Sequence, residues 1–163
     1  MNVVYYYGND LLKSCCNALV NPVNCEGIMG KGLTLQFKEK YPNNFKDYVL
    51  ACKNNELTIG HVHYFQEQDK LIINFPTKDR WRNNSELDYI ESGLDSLIKA
   101  IRKLNIKSIA IPMLGCGLGG LDMQIVHTLI VNKFFKSFKN TDLKVCLYLP
   151  KTFEQNRKIM NRK

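Results

Sequence analysis

Short apolar runs alternate along the chain with longer segments in which apolar residues recur at helical spacing. The apolar runs have the length of β-strands and fall at residues 2–7, 17–23, 107–113 and 143–149. The helical segments lie between them, at about residues 33–40, 45–52, 87–104 and 123–134. Strands that alternate with helices indicate an α/β fold, because each parallel connection needs a crossover. The pattern therefore predicts a mixed, largely parallel sheet with helices on both faces.

Three segments carry additional signals. Residues 61–65 and 70–75 are strand-like runs separated by a polar segment, which predicts a β-hairpin. Residues 41–44 contain a proline and two asparagines, so we expect them to interrupt the helical pattern. Residues 85–88 resemble a capping box at a helix start. The helix that follows has the clearest apolar stripe of the chain, formed by Leu87, Ile90, Leu94, Leu97, Ile101 and Leu104.

One strand-like run ends in a glycine-rich loop. The run from Ala18 to Val20 is followed by Gly27, Gly30 and Gly32 and then by a helical segment. Glycine lets a ligand approach the backbone closely, and the amide groups of a helix start favour an anion, so such a loop can bind phosphate. The spacing is neither that of a P-loop nor the Gly-x-Gly-x-x-Gly of dinucleotide-binding folds. An ordinary turn between strand and helix is the alternative.

A second glycine-rich loop, residues 114–120, follows the strand-like run 107–113. Because the carboxyl ends of parallel strands meet at one edge of a sheet, where α/β folds bind ligands, we expect both loops at that edge. One loop can hold one phosphate, and two loops can hold a diphosphate. The pair therefore predicts a ligand with a central pyrophosphate.

Length and composition limit the classes of protein. A chain of 163 residues can bury a core without disulfides, and we expect a single domain over residues 1–163. No apolar run reaches membrane-spanning length and the N-terminus lacks a signal-peptide pattern, so we expect a cytoplasmic protein without a membrane partner. The six cysteines lack metal-like spacing and are expected to be reduced thiols. Cys25 and Cys116 lie in the glycine-rich loops, which leaves a reactive-thiol role open.

The net charge of +8 is concentrated near the C-terminus. From residue 133 on there are nine lysines and arginines against two acidic residues. A basic end at about residues 150–163 can draw the protein to nucleic acid or another polyanion. A solvated basic tail over the last ten residues is the alternative.

Three separated motifs resemble those of the macrodomain family, whose members bind ADP-ribose. They are Val20-Asn21-Pro22-Val23-Asn24 with Met29-Gly30-Lys31-Gly32, then Asn74-Phe75-Pro76-Thr77-Lys78 with Trp81-Arg82, and then Gly115-Cys116-Gly117-Leu118-Gly119-Gly120-Leu121-Asp122. The motifs are most similar to those of the DarG-type antitoxin macrodomains and, through them, to the human terminal ADP-ribose glycohydrolase. The resemblance runs over about residues 3–149 and implies a macrodomain fold, a three-layer α/β/α sandwich.

The resemblance also implies an activity. DarG-type macrodomains remove ADP-ribose from thymidine bases of DNA, and their lysine corresponds to Lys78. A lysine beside the bound distal ribose can attack the anomeric carbon or stabilise developing charge, whereas a solvated lysine is the alternative. Neither a cofactor nor a metal is implied, and His61 and His63 lack a third ligand, so we expect them on a strand surface. Hydrolysis of protein-linked or acylated ADP-ribose and non-catalytic ADP-ribose binding remain as alternatives.

By their place in the motifs, further residues are implied to bind ADP-ribose. Asp10 corresponds to the family's residue near the adenine, and Asn24 is the candidate for the distal ribose, while turn formation is the alternative for both. Lys31 is implied to place the phosphates or the scissile ribose, with a solvated loop lysine as the alternative. The remaining implied ligand-binding residues are Asn21, Gly27, Met29, Gly30, Gly32, Thr77, Gly115, Cys116, Gly117, Leu118 and Gly119.

Arg80, Trp81 and Arg82 directly follow the Lys78 motif. A tryptophan between arginines can stack on a substrate base, whereas a tryptophan packed into the surface is the alternative. The implied partners are ADP-ribose, an ADP-ribosylated substrate in the form of single-stranded DNA, and a cognate ADP-ribosyltransferase toxin. The chain ends soon after the motifs, so we expect protection against such a toxin to rest on catalysis or on a separate partner.

One position departs from the human enzyme. That enzyme has an aspartate directly after Gly-Cys-Gly-Leu, and the corresponding residue here is Gly119. Asp122 follows three residues later and is expected to cap the next helix. The departure weighs against acid-assisted hydrolysis of protein esters and favours the DarG-like activity.

Overall fold

The structure is a computed structural model that describes residues 1–160, apart from the side chains of residues 155–157, 159 and 160. The strands are β1 Asn2–Tyr7, β2 Ala18–Asn24, β3 His63–Glu67, β4 Lys70–Lys78, β5 Ser108–Pro112 and β6 Lys144–Leu149. The helices are α1 Gly32–Lys40, α2 Pro42–Lys53, α3 Leu87–Lys103, α4 Met123–Phe138 and α5 Lys151–Met160. A short 3-10 turn, Leu11–Lys13, follows β1.

The six strands form one sheet in the order β1-β6-β5-β2-β4-β3. Every neighbouring pair is parallel except β3 and β4, which form the predicted antiparallel hairpin. The predicted mixed, mainly parallel sheet is therefore confirmed. The parallel strands all end at the same edge, so the loops after β2, β4 and β5 are neighbours there.

Helices cover both faces of the sheet. On one face, α3 and α4 bury apolar stripes together with Phe153 of α5, and on the other face α1 and α2 bury aromatic side chains. Ile90, Leu94 and Leu97 of α3 are fully buried. Burial of each such side chain contributes about 1.5–3 kcal/mol. The arrangement is the predicted three-layer α/β/α fold.

Helix α3 approaches β4 most closely at Gly93. A Cβ at this position would overlap the ring of Phe75 in β4, so only glycine permits the approach. The contact holds the C-terminal part of β4 in place. Since β4 ends at Lys78, the packing of α3 helps to set where this lysine lies.

Strand β4 is longer than predicted, because it continues through Pro76 to Lys78. Its pairing with β3 stops at the pair formed by His63 and Asn74, so beyond Asn74 it has a neighbour on one side only. Proline is tolerated at such a local edge because its missing N–H leaves no ladder bond unmade. Lys78 consequently lies at a strand end rather than in a polar loop.

Two local predictions were wrong, and a third holds only in part. The helical pattern is interrupted as predicted, at Tyr41 between α1 and α2, but Pro42 is already the first residue of α2, where a proline needs no N–H. Ser85 does not cap α3, because the N-cap is Glu86 and the Ser85 N–H instead donates to the carbonyl of Gly119. His61 does not share a strand with His63, since it lies before β3 in an isolated bridge.

The predicted basic tail is helical up to Met160. Phe153 of α5 is buried in the main core, which anchors the start of this helix. Arg162 and Lys163 lie outside the described residues. Within residues 1–160, none of the helices combines the length and the apolar character needed to cross a bilayer.

Candidate active site

A cleft of about 510 Å³ opens at the edge of the sheet where the parallel strands end. Its walls are the first glycine-rich loop with the start of α1, the second glycine-rich loop, and the ends of β2 and β4. The predicted site residues that line it are Asn24, Gly30, Lys31, Gly32, Thr77, Lys78, Trp81, Gly115, Gly117, Leu118 and Gly119. Most of the predicted site residues thus converge on one cleft.

The first glycine-rich loop, residues 25–31, leads into a helix N-terminus that is open to the cleft. The N-cap of α1 is Lys31, which makes no side-chain hydrogen bond to the helix, and the first turn contains no acidic residue. Gly32, Leu33 and Thr34 of that turn line the cleft. The first-turn N–H groups have no helical acceptor, and the helix dipole favours negative charge there. This wall of the cleft is therefore suited to a phosphate.

Asn24 holds the first loop in shape. Its Oδ1 accepts hydrogen bonds from the N–H of Glu26 at 3.0 Å and from the Tyr48 hydroxyl at 3.0 Å. Its Nδ2 donates to the carbonyl of Ile28 at 2.8 Å. The turn-forming role that the sequence left open is therefore present, and contact with a ribose stays a prediction.

Three predicted ligand residues, Asn21 of β2 and Gly27 and Met29 of the first loop, do not line the cleft. Asn21 is fully buried in β2, where its Nδ2 donates to Oδ1 of Asn74 at 3.1 Å. Met29 is buried beside α2, and Gly27, with φ of +80°, faces Val49 of that helix. These residues support the first loop through contacts with β4 and α2, away from the cleft.

The second glycine-rich loop, residues 114–120, is closed by local hydrogen bonds. The N–H of Leu121 donates to the carbonyl of Gly115, and that of Gly120 donates to Gly117. Gly117, Leu118 and Gly119 line the cleft, and within residues 1–160 no protein acceptor receives their N–H groups. Successive unpaired amides form a surface suited to a second anion.

Gly119 leaves no room for a side chain. A Cβ there would clash with Oγ of Ser85 and with the carbonyl oxygen of Gly115. An aspartate at this position would therefore require a different loop conformation. Ser85 is buried, and its Oγ has no hydrogen-bond partner within the described residues. The contact of Ser85 with this loop was not predicted from the sequence, because a serine just before a helix predicts a cap.

Asp122 caps α4, as predicted. Its Oδ1 accepts a hydrogen bond from the N–H of Ile125 at 3.0 Å. Because Asp122 is engaged at the helix start and position 119 is a glycine, neither supplies a carboxylate to the cleft.

Both thiols of the glycine-rich loops are poor nucleophiles. Burial, followed by the charge of Asp122, raises the pKa of Cys116 to about 12, and its Sγ donates to the carbonyl of Leu114. Burial, followed by the charge of Asp79, raises the pKa of Cys25 to about 12. Both groups are therefore protonated at neutral pH, which weighs against the reactive-thiol role. Cys116 does not line the cleft.

Lys78 lies at the end of β4 between the two loops. Its Nζ donates to the carbonyl of Leu118 at 3.0 Å and to the carbonyl of Trp81 at 3.4 Å. Beyond two N–H groups, a lysine nitrogen carries a lone pair when neutral or a third N–H when charged. One position on the nitrogen therefore remains for a ligand, either as a nucleophile or as a hydrogen-bond donor.

Trp81 forms part of the outer wall of the cleft. Its side chain is 45% exposed, and the guanidinium of Arg82 lies 4.7 Å from the ring centroid. Its N–H donates to Oε2 of Glu26 at 2.9 Å. Arg80 and Arg82 are exposed but do not line the cleft. Trp81 is thus partly exposed at the cleft, with an arginine on each side of it in the chain, and its contact with a substrate base stays a prediction.

Asp10 lies at a second cleft of about 450 Å³. Leu33 and Pro112 line both clefts, so the two are adjacent. Oδ1 of Asp10 accepts from the N–H of Leu12 at 3.0 Å and caps the turn after β1. The turn-forming role is therefore present, and the carboxylate is exposed for a further hydrogen bond.

In the described part of the chain, no group of three or more His, Cys, Asp or Glu residues is placed to hold a metal ion. His63 is engaged instead, through Nε2 with Oδ2 of Asp47 at 2.7 Å and through Nδ1 with Nδ2 of Asn74 at 2.9 Å. Asn74 in turn bonds Asn21. This histidine therefore belongs to a polar network beneath the first loop.

Glu26 and Tyr48 support the site, although the sequence analysis did not single them out. A charged residue inside a glycine-rich loop was a signal that could have drawn attention to Glu26. Tyr48 carries no such signal, because its hydroxyl reaches Asn24 only through the packing of α2 on the first loop.

Comparison with known proteins identifies related chains. The family described as Macro domain matches residues 20–130. A curated relative from Mycobacterium tuberculosis, named DNA ADP-ribosyl glycohydrolase, is 49% identical over 136 residues, which cover 81% of this chain and 39% of the relative. The chain therefore spans about two fifths of the length of that relative.

Solved structures agree with the fold. The macrodomain of Mycobacterium tuberculosis DarG has a TM-score of 0.83 at 47% identity, covering 90% of this chain and 98% of that one. Thermosipho africanus DarTG in complex with ADP-ribose has a TM-score of 0.83 at 35% identity, covering 91% of this chain and 42% of that one. The fold that the three sequence motifs implied is confirmed.

Proposed function

The chain belongs to the macrodomain family, and from this premise we propose that it is a DNA ADP-ribosyl glycohydrolase that removes ADP-ribose from thymidine bases. Lys78 is the proposed catalytic residue. The observation that carries the proposal is the position of its Nζ, which two backbone carbonyls hold between the two loops suited to anions. The activity is the one named for the relative that is 49% identical.

In this proposal, ADP-ribose occupies both clefts. Its pyrophosphate bridges the open start of α1 and the unpaired amides of the second loop. The adenine lies towards Asp10, whose carboxylate can accept a hydrogen bond from an exocyclic amine. The distal ribose then lies at the end of β4, beside Lys78.

The proposed reaction exchanges one bond at the anomeric carbon of the distal ribose. The bond from this carbon to the base breaks, and its electron pair stays with the base. Water supplies a hydroxyl group to the sugar and a proton to the base. Lys78 either attacks the anomeric carbon before water does or stabilises charge while the bond breaks.

The substitution Lys78→Arg separates these two roles. A guanidinium keeps the positive charge and the N–H donors, but it has no lone pair available for attack. Turnover that survives in Lys78→Arg assigns charge stabilisation to the lysine. Turnover that is lost in Lys78→Arg while ADP-ribose still binds assigns nucleophilic attack.

DNA is the proposed carrier of the ADP-ribose because Trp81 exposes its ring at the cleft and lies between Arg80 and Arg82. Stacking on aromatic rings and contacts from cations to phosphates are how proteins bind single strands. Cleavage of a modified oligonucleotide should therefore weaken as salt rises, while affinity for free ADP-ribose changes less. A flat salt response would favour a protein or a small molecule. The proposed partners are single-stranded DNA and a cognate ADP-ribosyltransferase toxin, both met in the cytoplasm.

The test compares two substrates, a single-stranded oligonucleotide carrying ADP-ribosylated thymidine and a protein ADP-ribosylated on glutamate. The variants are wild type, Lys78→Ala and the matched control Lys99→Ala, which alters an exposed lysine of α3. We expect wild type and Lys99→Ala to release ADP-ribose from the DNA but not from the protein. Lys78→Ala should release it from neither.

Three other results would change the proposed substrate, the proposed activity or the role of Lys78. Release from the protein alone would replace the DNA substrate by protein-linked ADP-ribose. Binding of ADP-ribose by wild type without release from either substrate would make the chain a non-catalytic binding module. Turnover by Lys78→Ala would contradict the role of the lysine.

A further inference from the structure

Glu26 joins the first loop to the segment after β4. Its Oε2 accepts a hydrogen bond from the N–H of Trp81 at 2.9 Å. Beside it, the N–H of Cys25 donates to the carbonyl of Asp79 at 3.1 Å. The N–H of Glu26 is itself held by Oδ1 of Asn24 at the end of β2. A continuous set of hydrogen bonds therefore runs from β2 to the peptide of Trp81.

Trp81 contacts Lys78 through its backbone and is itself exposed at the cleft. Its carbonyl accepts from Nζ of Lys78 at 3.4 Å. Trp81, which is 45% exposed, lines the cleft together with Ile28 and Leu118, which are 42% and 72% exposed. Large apolar side chains left exposed around one opening suit a flat, partly apolar group such as a nucleobase. Arg82 stacks on the indole without lining the cleft.

We propose that Glu26 is a positioning residue, which holds Trp81 against the nucleobase that carries ADP-ribose and orients Lys78 through the Trp81 carbonyl. The identity of the substrate in this inference rests on the proposed function. A carboxylate that accepts a backbone N–H forms a charge-assisted hydrogen bond, which is stronger than a neutral one. Without this bond, Glu26 no longer holds the Trp81 peptide, so neither the indole ring nor the Trp81 carbonyl that accepts from Lys78 is fixed in position. Glu26 does not line the cleft, so affinity for free ADP-ribose should not depend on it.

Trp81 is the only tryptophan of the chain, so its fluorescence reports its position without any turnover. The test compares Glu26→Ala, Glu26→Gln and the control Glu39→Ala, which alters an exposed glutamate of α1. We expect acrylamide to quench Trp81 more strongly in Glu26→Ala than in wild type. Quenching should return towards wild type in Glu26→Gln, because the amide oxygen still accepts the N–H. The control should match wild type.

Kinetics on the ADP-ribosylated oligonucleotide provide the second readout. Glu26→Ala should raise KM, lower kcat and reduce kcat/KM by about tenfold, as expected for the loss of a hydrogen bond to a charged group. Glu26→Gln should recover most of this loss, and the Kd for ADP-ribose should stay unchanged in both variants. Unchanged quenching in Glu26→Ala, or a glutamine variant no better than the alanine variant, would overturn the inference. If wild type cleaves no modified DNA, the proposed function fails, and the quenching series still decides whether Glu26 positions Trp81.

Discussion

The two glycine-rich loops look alike in sequence, yet they present different groups to the cleft. Each follows a buried strand and leads into a helix. The helix after the first loop, α1, has no side-chain cap, whereas Asp122 caps the helix after the second loop, α4. The first loop therefore offers the N–H groups and dipole of a helix start. The second loop offers the amides of its own residues, Gly117 to Gly119.

This difference shows that glycines before a helix are not enough to make the helix start an anion site. At α4 the carboxylate of Asp122 already bonds the first turn, and its negative charge opposes a second anion. At α1 the N-cap is Lys31, whose charge attracts an anion. The two phosphates of a diphosphate would thus contact different groups, the start of α1 at one loop and backbone amides at the other. Substitutions in the two loops should therefore have separable effects.

The largest effect on binding is expected at Gly119. In Gly119→Ala the new Cβ clashes with Ser85 and Gly115, so the second loop and its amides must move. Such overpacking costs about 1–3 kcal/mol, or about a 5- to 150-fold loss of ADP-ribose affinity. Gly117→Ala is the matched control, because nothing lies within 4 Å of its added Cβ and its φ is not positive. Calorimetric titration that gave both variants wild-type affinity would show that the shape of the second loop does not matter for binding.

A smaller loss is expected at Gly32, where α1 begins. Gly32 has φ of +59°, and an alanine in this conformation is strained by about 1–2 kcal/mol, or about 5- to 30-fold in ADP-ribose affinity. Gly30→Ala is the control, because its φ is not positive and its Cβ would lie 3.8 Å from Ile28, an ordinary contact. The same titration measures both. A loss in Gly30→Ala equal to that in Gly32→Ala would remove the argument from backbone conformation.

Asp122→Ala should affect stability and spare binding. Loss of an N-cap costs about 1 kcal/mol in the free energy of unfolding, which urea denaturation measures. Asp88→Ala in the first turn of α3 is a suitable control, because the structure gives α3 no side-chain cap. ADP-ribose affinity should be close to wild type in both variants. A marked fall in affinity for Asp122→Ala would mean that the capped helix does contribute to the ligand site.

The smallest effect is expected from modification of the thiols. Because burial raises the pKa of Cys25 and Cys116 to about 12, both remain protonated at pH 8, and alkylation requires the thiolate. Iodoacetamide should therefore modify the exposed Cys15 first and leave ADP-ribose binding unchanged. Peptide mass spectrometry during the reaction measures the order. Early modification of Cys116 accompanied by loss of binding would restore the reactive-thiol hypothesis.

The sequence was sufficient to predict the strands, both loops and the position of Lys78 at the cleft, but not which side chains face the cleft. Asn21 and Asn24 belong to one motif, yet Asn21 is buried in the sheet and Asn24 holds the first loop. Their directions depend on the pairing of β2 with β4, whose register shifts between Val23 and Asn24. Register is a property of two strands that are distant in sequence, so a single motif does not reveal it.

Ser85 and Pro42 show how a correct local rule can be overridden or misapplied. A serine before a helix predicts a cap, but the Ser85 N–H donates to the carbonyl of Gly119 in the second loop, and the N-cap position falls on Glu86, which makes no side-chain cap. Proline predicts a break in the helical pattern, and a break occurs at Tyr41, but Pro42 itself begins α2, where it costs no hydrogen bond. Both outcomes depend on contacts or boundaries that the local pattern does not contain.

The central claim is that the two loops bind ADP-ribose while Lys78 acts on the bond to the base. The most direct measurement determines, for Lys78→Ala, both the Kd for ADP-ribose by calorimetry and the single-turnover rate on an oligonucleotide with ADP-ribosylated thymidine. We expect a Kd close to that of wild type and a rate lower by a factor on the order of 100 to 1,000 or more. A variant that keeps its turnover, or that loses binding together with turnover, would contradict this division of roles.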